Sequence, residues 1–177
     1  MDSKMINIII EALGQTIYMV FFSTLFASVL GFILGIIVTV TSPTGLRPNI
    51  FIYKSLDVII NVLRSFPFII LIVFIIPLTR AIVGTPIGET AAIVPLTIAA
   101  APFVARIIES ALKEVDPGVI EAAKSFGASN LQIIFKVMLK EAVPAIISGL
   151  TLTIINIIGY SAMAGSVGAG GLGKVAI

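Results

Sequence analysis

The chain has 177 residues, of which 58% are hydrophobic and only 11% are charged, and its formal net charge is +2. A soluble domain is about half apolar and a quarter charged, so this composition, with a mean hydropathy of +1.18, predicts that most of the chain lies in lipid. Cysteine and histidine do not occur in these residues, which excludes thiol nucleophiles, thiolate metal sites and the commonest general base. The small net charge, without a clustered basic face, does not indicate nucleic acid binding.

Four apolar segments approach the roughly 20 residues that a helix needs to cross a bilayer core. The first contains Gly31 and Gly35 in a GxxxG arrangement that allows close helix approach, and we expect it to be a retained helix rather than a cleaved leader. The second is short and contains Pro67. The third contains Pro95 and Pro102, so we expect a kinked helix packed against protein. The predicted spans are 17–40, 58–78, 90–108 and 144–164.

The positions of lysine and arginine predict the orientation of these spans, because cytoplasmic loops are enriched in basic residues. If the connections after the first and third spans face the cytoplasm, eight basic residues lie on that side and three on the other. This predicts a multi-pass chain with its N-terminus outside. Arg64 and Arg106 lie towards the cytoplasmic ends of their spans, and we interpret them as topology anchors, with contact to a substrate carboxylate as the alternative.

The one long polar connection predicts two short helices separated by a glycine. Asp116 is a suitable N-cap because a proline follows it at the first helical position, and Gly127 is a suitable left-handed stop. Ser129 and Gln132 fit a capping box at the start of the second helix. The first helix has the pattern of an amphipathic helix at the membrane surface, where it could simply order a loop. We expect Val119, Ile120 and Ala123 on its buried side and Glu121, Lys124 and Ser125 on its polar side.

The same connection contains a short string of residues that resembles a known motif. Glu121, Ala122 and Ala123 are followed by Gly127 and then by the segment 137–139. This string resembles the EAA motif of the permease subunits of ABC importers. The resemblance implies that the loop, about 110–143, forms a coupling helix that docks into a groove on an ATP-binding subunit.

Four further segments, 61–70, 101–106, 159–165 and 167–173, resemble the permease subunit of bacterial methionine importers, and the similarity extends over 17–173. The resemblance implies a type I ABC importer permease with an all-α fold in the bacterial inner membrane. It implies a second copy of the chain, two ATP-binding subunits and an external binding protein that delivers methionine as partners. ATP and Mg²⁺ would bind to the ATP-binding subunits, and we expect neither a cofactor nor a catalytic site in this chain, which contains no GxxxxGK[ST] loop.

The family pattern also sets the expected domain organisation. We expect a single transmembrane domain over 1–177, with four spans. Relatives of this family have a fifth helix after the glycine-rich run, and we expect that the chain without such a helix does not transport substrate.

The fourth span carries the candidate residues of a substrate pathway. Asn156, Tyr160 and Ser161 are its polar positions, and Asn156 and Tyr160 share a face at 100° per residue. They could line the pathway or form hydrogen bonds between helices. Met163 could contact a thioether substrate through its polarizable sulfur, or simply fill a gap between helices.

Three alternatives remain beside a methionine permease. A permease for another amino acid or small solute would have the same pattern. A channel needs only helices and polar pore positions, but it has no use for a coupling loop, and an inert scaffold subunit would not stimulate an ATPase. An intramembrane protease of the aspartyl, metallo or serine–histidine kind lacks its catalytic groups here.

Overall fold

The computed structural model describes residues 3–176, and within that range the chain forms helices and no strands, which confirms the predicted all-α bundle. Three of these helices are long and apolar enough to cross a membrane, and a bent pair could supply a fourth span. Of the predicted domain 1–177, Met1, Asp2 and Ile177 lie outside the described residues. The helices are α1 (Ser3–Thr41), α2 (Ile50–Ser65), α3 (Phe68–Phe74), α4 (Ile76–Val83), α5 (Glu89–Lys113), α6 (Pro117–Ser125), α7 (Asn130–Gln132), α8 (Leu139–Ala164) and α9 (Gly171–Val175).

The long helices extend beyond the predicted spans. The first begins at Ser3 rather than at residue 17, and α8 begins at Leu139 rather than at residue 144. The predicted limits followed the apolar residues, whereas backbone hydrogen bonding continues through charged positions such as Lys4, Glu11 and Glu141. The apolar pattern therefore located the first, third and fourth spans correctly and underestimated the lengths of their helices.

The α1–α5 pair forms the centre of the bundle through small residues. A Cβ added to Gly31 would lie 2.7 Å from the carbonyl oxygen of Ala101, and one added to Gly35 would lie 2.6 Å from the Cβ of Ile108. The expected close approach at the GxxxG positions is thus confirmed. The contacts advance in the same direction along both helices, so α1 and α5 run parallel. The buried stripe of α1 that makes this interface consists of Ser23, Ala27, Gly31, Gly35 and Thr39.

The α5 helix is the most enclosed of the long helices. Two thirds of its most apolar window (67%) is buried, against 22% for the corresponding window of α1. Pro95 and Pro102 both lie inside the helix and are buried. The expectation that this span packs against protein rather than lipid is confirmed.

The second predicted span is not a single straight helix. The chain bends by 108° between α2 and α3. The bend lies at Phe66, whose backbone is extended (φ −71°, ψ 127°). Pro67 follows it, and a proline disfavours helical geometry in the residue before it and cannot donate the next helical hydrogen bond. The predicted span over 58–78 therefore corresponds to a bent pair of helices rather than to one continuous helix, and this pair could cross the membrane as one broken span.

The bundle has two distinct ends. At the first, which we name the glycine pole, the Gly171 N–H donates to Oε1 of Gln15 (2.7 Å), and Oγ1 of Thr16 accepts the next N–H of α9 (2.9 Å). Gly88, before α5, donates to the carbonyl of Gly168 (3.0 Å) at the same end. At the other end, which we name the loop pole, the turn after α1 lies beside α6 across a cavity of about 270 Å³. The helices α1 and α5 therefore run from the glycine pole to the loop pole, and α8 runs in the opposite direction.

Candidate functional site

The local geometry of the loop follows its sequence signals. Oδ1 of Asp116 accepts a hydrogen bond from the Gly118 N–H (2.6 Å) at the start of α6. Gly127 has φ +80°, a left-handed conformation that favours glycine. Ser129 and Gln132 form the reciprocal capping box, with distances of 2.8 and 3.3 Å. The predicted cap, stop and capping box are all confirmed, so the direction and length of α6 are set by its own residues.

The surface of α6 is more exposed than its pattern predicts. No residue of this helix is buried. Ile120 and Ala123 are partly buried as expected, but the expected burial of Val119 is wrong, because the helix lies at the edge of the bundle and only part of its apolar side meets other helices. Phe126 is 91% exposed. The predicted docking residues Glu121 and Ala122 are exposed beside it.

The inner side of α6 is connected to the membrane helices by apolar packing. Ile120 and Ala123 pack against a cluster that contains Leu112 of α5 and Ile133 and Met138 of the segment leading to α8. This cluster therefore joins α6 to the end of α5 and to the start of α8.

The segment Ile133–Met138 is π-helical and joins α7 to α8. Such turns often occur at functional sites, where one extra residue shifts the side chains that follow. Sequence reasoning missed this segment, because a π turn depends on one widened hydrogen-bonding ring that no residue type in this stretch signals. A second π-helical segment, Gly165–Ala169, follows α8 at the glycine pole.

The structure divides the four predicted pathway residues into two groups. Asn156, Tyr160 and Met163 lie on one face of α8, since they are spaced by four and three residues. Asn156 is exposed, Tyr160 is partly buried and Met163 is 51% exposed. Ser161 lies on the buried side, and its hydroxyl donates to the carbonyl of Ile158 (2.7 Å). We name the face of Asn156, Tyr160 and Met163 the polar face of α8.

One residue of this site was missed by sequence reasoning. The ring of Phe68 stacks on the ring of Tyr160, with centroids 4.8 Å apart and planes 12° from parallel. Phe68 begins α3 immediately after the bend at Pro67. The only sequence signal is an aromatic residue directly after a proline break, and that signal does not identify its distant partner.

A charged cluster lies near the loop pole between α2 and α5. The Arg106 side chain is 19% exposed and forms ion pairs with Asp57 and Glu109. It also donates to Oδ1 of Asn61 (3.0 Å), while Nζ of Lys113 pairs with Glu109 (2.6 Å). Two basic and two acidic groups therefore neutralise each other, which lowers the cost of holding charge within a membrane helix.

The second arginine has a different environment. Arg64 is exposed, and its guanidinium carbon lies 6.0 Å from the centre of the Phe103 ring, within the range of a cation–π contact. Both arginines were interpreted as topology anchors. Their surroundings now distinguish them, because Arg106 joins two helices through carboxylates whereas Arg64 extends from the end of α2.

Comparison with known proteins places these features in a family. Residues 27–177 match the model of the binding-protein-dependent transport system inner membrane component. A relative in Vibrio cholerae, named "Probable D-methionine transport system permease protein MetI", is 53% identical over 171 residues, covering 97% of this chain and 76% of the relative. The D-methionine transport system permease protein MetI of Escherichia coli K12 is 47% identical over 165 residues, covering 93% and 76%.

Solved structures agree with the sequence comparison. A structure of the MetNI methionine ABC transporter in an inward-facing conformation superposes with a TM-score of 0.97 at 47% identity, covering 99% of this chain and 81% of that chain. An amino acid ABC transporter crystallised with histidines has the same fold, with a TM-score of 0.79 at 24% identity. This chain therefore belongs to the family of inner membrane components of binding-protein-dependent transport systems, and it is a multi-pass permease subunit of an ABC transporter.

Proposed function

We propose that this chain is the permease of an ATP-driven importer of methionine. The observation that carries the proposal is the identity of about half of all residues with D-methionine permeases, maintained over 97% of the chain. The polar face of α8 suits the solute chemically, since Asn156 and Tyr160 offer polar groups and Met163 offers a polarizable sulfur near a thioether. A permease for another amino acid or small solute is the alternative, and the choice of solute in transport distinguishes the two.

The proposed complex contains two copies of this permease, two ATP-binding subunits at the loop pole and an external binding protein at the glycine pole. This arrangement puts the N-terminus outside and α6 in the cytoplasm. Exposure of Phe126 at the end of the helix that carries Glu121 supports docking at α6, since an exposed aromatic side chain is a common anchor in protein interfaces. Glu121, Ala122, Ala123 and Gly127 are the proposed docking residues.

In the proposed mechanism the partner subunits bind and hydrolyse ATP with Mg²⁺, and this chain transmits the movement. Closure of the partners displaces α6, and the apolar cluster behind α6 passes that displacement to α5 and α8. Rigid-body rocking of packed helices then alternates access to the pathway. In this proposal the polar face of α8 lines the pathway, while Ser161 contributes from the buried side by fixing the helix.

Transport in reconstituted vesicles tests the proposal. The protein, extended at its C-terminus by a fifth helix of the family type, is co-purified with its ATP-binding subunit and inserted into vesicles. ATP is enclosed in the lumen on the side of the ATP-binding subunit, and the binding protein and labelled methionine are added outside. We expect uptake that requires ATP and is reduced by unlabelled methionine. Uptake of another solute in place of methionine would refute the substrate, and passage of solute without ATP would indicate a channel instead.

A further inference from the structure

The tyrosine of the polar face packs against the buried core and makes one well-defined aromatic contact. Tyr160 lies between Asn156 and Met163 and is only partly buried, so its ring could rotate about two side-chain bonds in the absence of a fixed neighbour. Its ring is instead stacked on Phe68, nearly parallel, at 4.8 Å. Stacking of two aromatic rings at this distance is favourable and restricts the orientation of the Tyr160 ring.

Phe68 is itself rigidly held. Its side chain is 6% exposed and belongs to the core cluster that also contains Leu96 of α5 and Ile157 of α8. Pro67 precedes it with φ −59°, and the 108° bend directs the chain into the bundle at this point. The stack therefore joins a fixed ring in the core to a partly exposed ring on the polar face of α8.

We propose that Phe68 is a positioning residue for solute translocation, which acts by fixing the Tyr160 ring on the polar face of α8. This inference rests on the proposed function, since it assigns Tyr160 a contact with the translocated solute. Phe68 lies on α3, directly after the bend at Pro67, and Tyr160 lies on α8. Any rotation of α8 relative to α3 during the transport cycle must slide or separate the two rings, so the contact also links the orientation of Tyr160 to the position of the broken segment.

The experiment compares three variants in the reconstituted importer. Phe68→Leu keeps an apolar side chain and removes the ring, whereas Phe68→Tyr keeps the ring. Phe74→Leu is the matched control, because Phe74 belongs to the same helix and is largely exposed. Its ring pairs with the ring of Phe66, at 6.2 Å between centroids, and not with Tyr160. We measure the methionine transported per ATP hydrolysed, together with the amount of complex assembled.

We expect Phe68→Leu to lower methionine transport per ATP by about 3- to 10-fold, the size of effect that loss of one aromatic pair produces. Phe68→Tyr should restore transport, and Phe74→Leu should not change it. The double variant Phe68→Leu with Tyr160→Leu should be no worse than Tyr160→Leu alone, because contacting residues are not additive. Wild-type transport by Phe68→Leu, an equal loss in Phe74→Leu, or additive losses in the double variant would overturn the inference.

A second measurement tests the stack independently of the solute. The chain has three tyrosines, which can be replaced by fluorotyrosine, and the Tyr160 signal is assigned by its loss in Tyr160→Phe. We expect Phe68→Leu to shift and broaden the fluorine NMR signal of Tyr160, while Phe74→Leu leaves it in place. If wild-type protein transports no methionine, the proposed function fails. If the Tyr160 signal is unaffected by Phe68→Leu, the positioning role fails.

Discussion

Arg106 and Asp57 are 49 residues apart in the chain and form an ion pair that joins α5 to α2. Ile60 is the only buried residue of α2. This charged contact is therefore a major part of what holds α2 against the core. It also means that α2 cannot separate from α5 without leaving the Asp57 carboxylate without its partner, whereas Glu109 keeps Arg106 and Lys113 on its own helix.

Replacement of Arg106 by Gln should destabilise the bundle by about 1–3 kcal/mol, because it leaves Asp57 partly buried without a counter-charge. Thermal unfolding of the purified protein in detergent measures the effect. Arg64→Gln is the control and should cost less than about 1 kcal/mol, since Arg64 is exposed. Addition of Asp57→Asn to Arg106→Gln should recover part of the lost stability, because it removes the carboxylate that has no counter-charge. Glu109 does not need a matching change, since Lys113 still neutralises it. An equal loss in both arginine variants would contradict this interpretation.

Gly35→Ala should destabilise the protein by about 1–3 kcal/mol, because the added methyl group meets Ile108 and the carbonyl of Ala105 on a rigid neighbouring helix. Gly14→Ala is a matched change in the same helix, where a Cβ has no neighbour within 4 Å. The Gly14 variant should be neutral or slightly more stable, because alanine favours the helix. Comparable stability of the two variants would show that α1 and α5 can move apart without cost.

Gly127→Ala should weaken coupling to the ATP-binding subunit. Alanine at φ +80° costs about 1 kcal/mol or more, which shifts the end of α6 and the exposed Phe126 beside it. Gly84→Ala introduces the same kind of strain at φ +86°, also with no neighbour near the added methyl, but far from α6. Of these two glycine variants, only Gly127→Ala should lower the amount of ATP-binding subunit that co-purifies and the stimulation of its ATPase activity. Glu121→Lys should reduce the same two quantities without changing thermal stability, since its side chain is exposed.

Cysteine labelling tests the orientation directly, because the chain has no native cysteine. In intact cells an impermeant thiol reagent should label Ser3→Cys from outside, whereas Ser125→Cys should react only after the membrane is opened. Ser161→Cys is the buried control and should remain unlabelled in both conditions. Labelling of Ser125→Cys in intact cells would reverse the predicted orientation.

Local features of this protein were predictable because their causes are local. Asp116 caps the helix that follows it, Gly127 ends that helix, and Ser129 and Gln132 bond across three residues. Each of these arrangements depends on residue types within one turn of the chain. The apolar spans were equally visible, since composition alone decides whether a segment is stable in lipid.

The features that were not predicted depend on distant neighbours. Pro67 marked a break, but the 108° bend also requires the core site that receives Phe68. The spacing of Asn156, Tyr160 and Ser161 gave their relative directions around α8, but only the positions of the helices packed against α8 decide that Ser161 is the buried one. The partner of Arg106 could not be identified from spacing, because Asp57 lies on a different helix.

The hydrogen bonds from Gly171 and Leu172 to Gln15 and Thr16 join positions that are 156 residues apart. At about 5–20 residues per second, the ribosome needs roughly 8–30 s to make the donors after it has made the acceptors. During that interval the side chains of Gln15 and Thr16 in α1 lack the two N–H donors that they bind in the folded chain. The glycine pole can therefore close only late in biogenesis, after α9 has been synthesised.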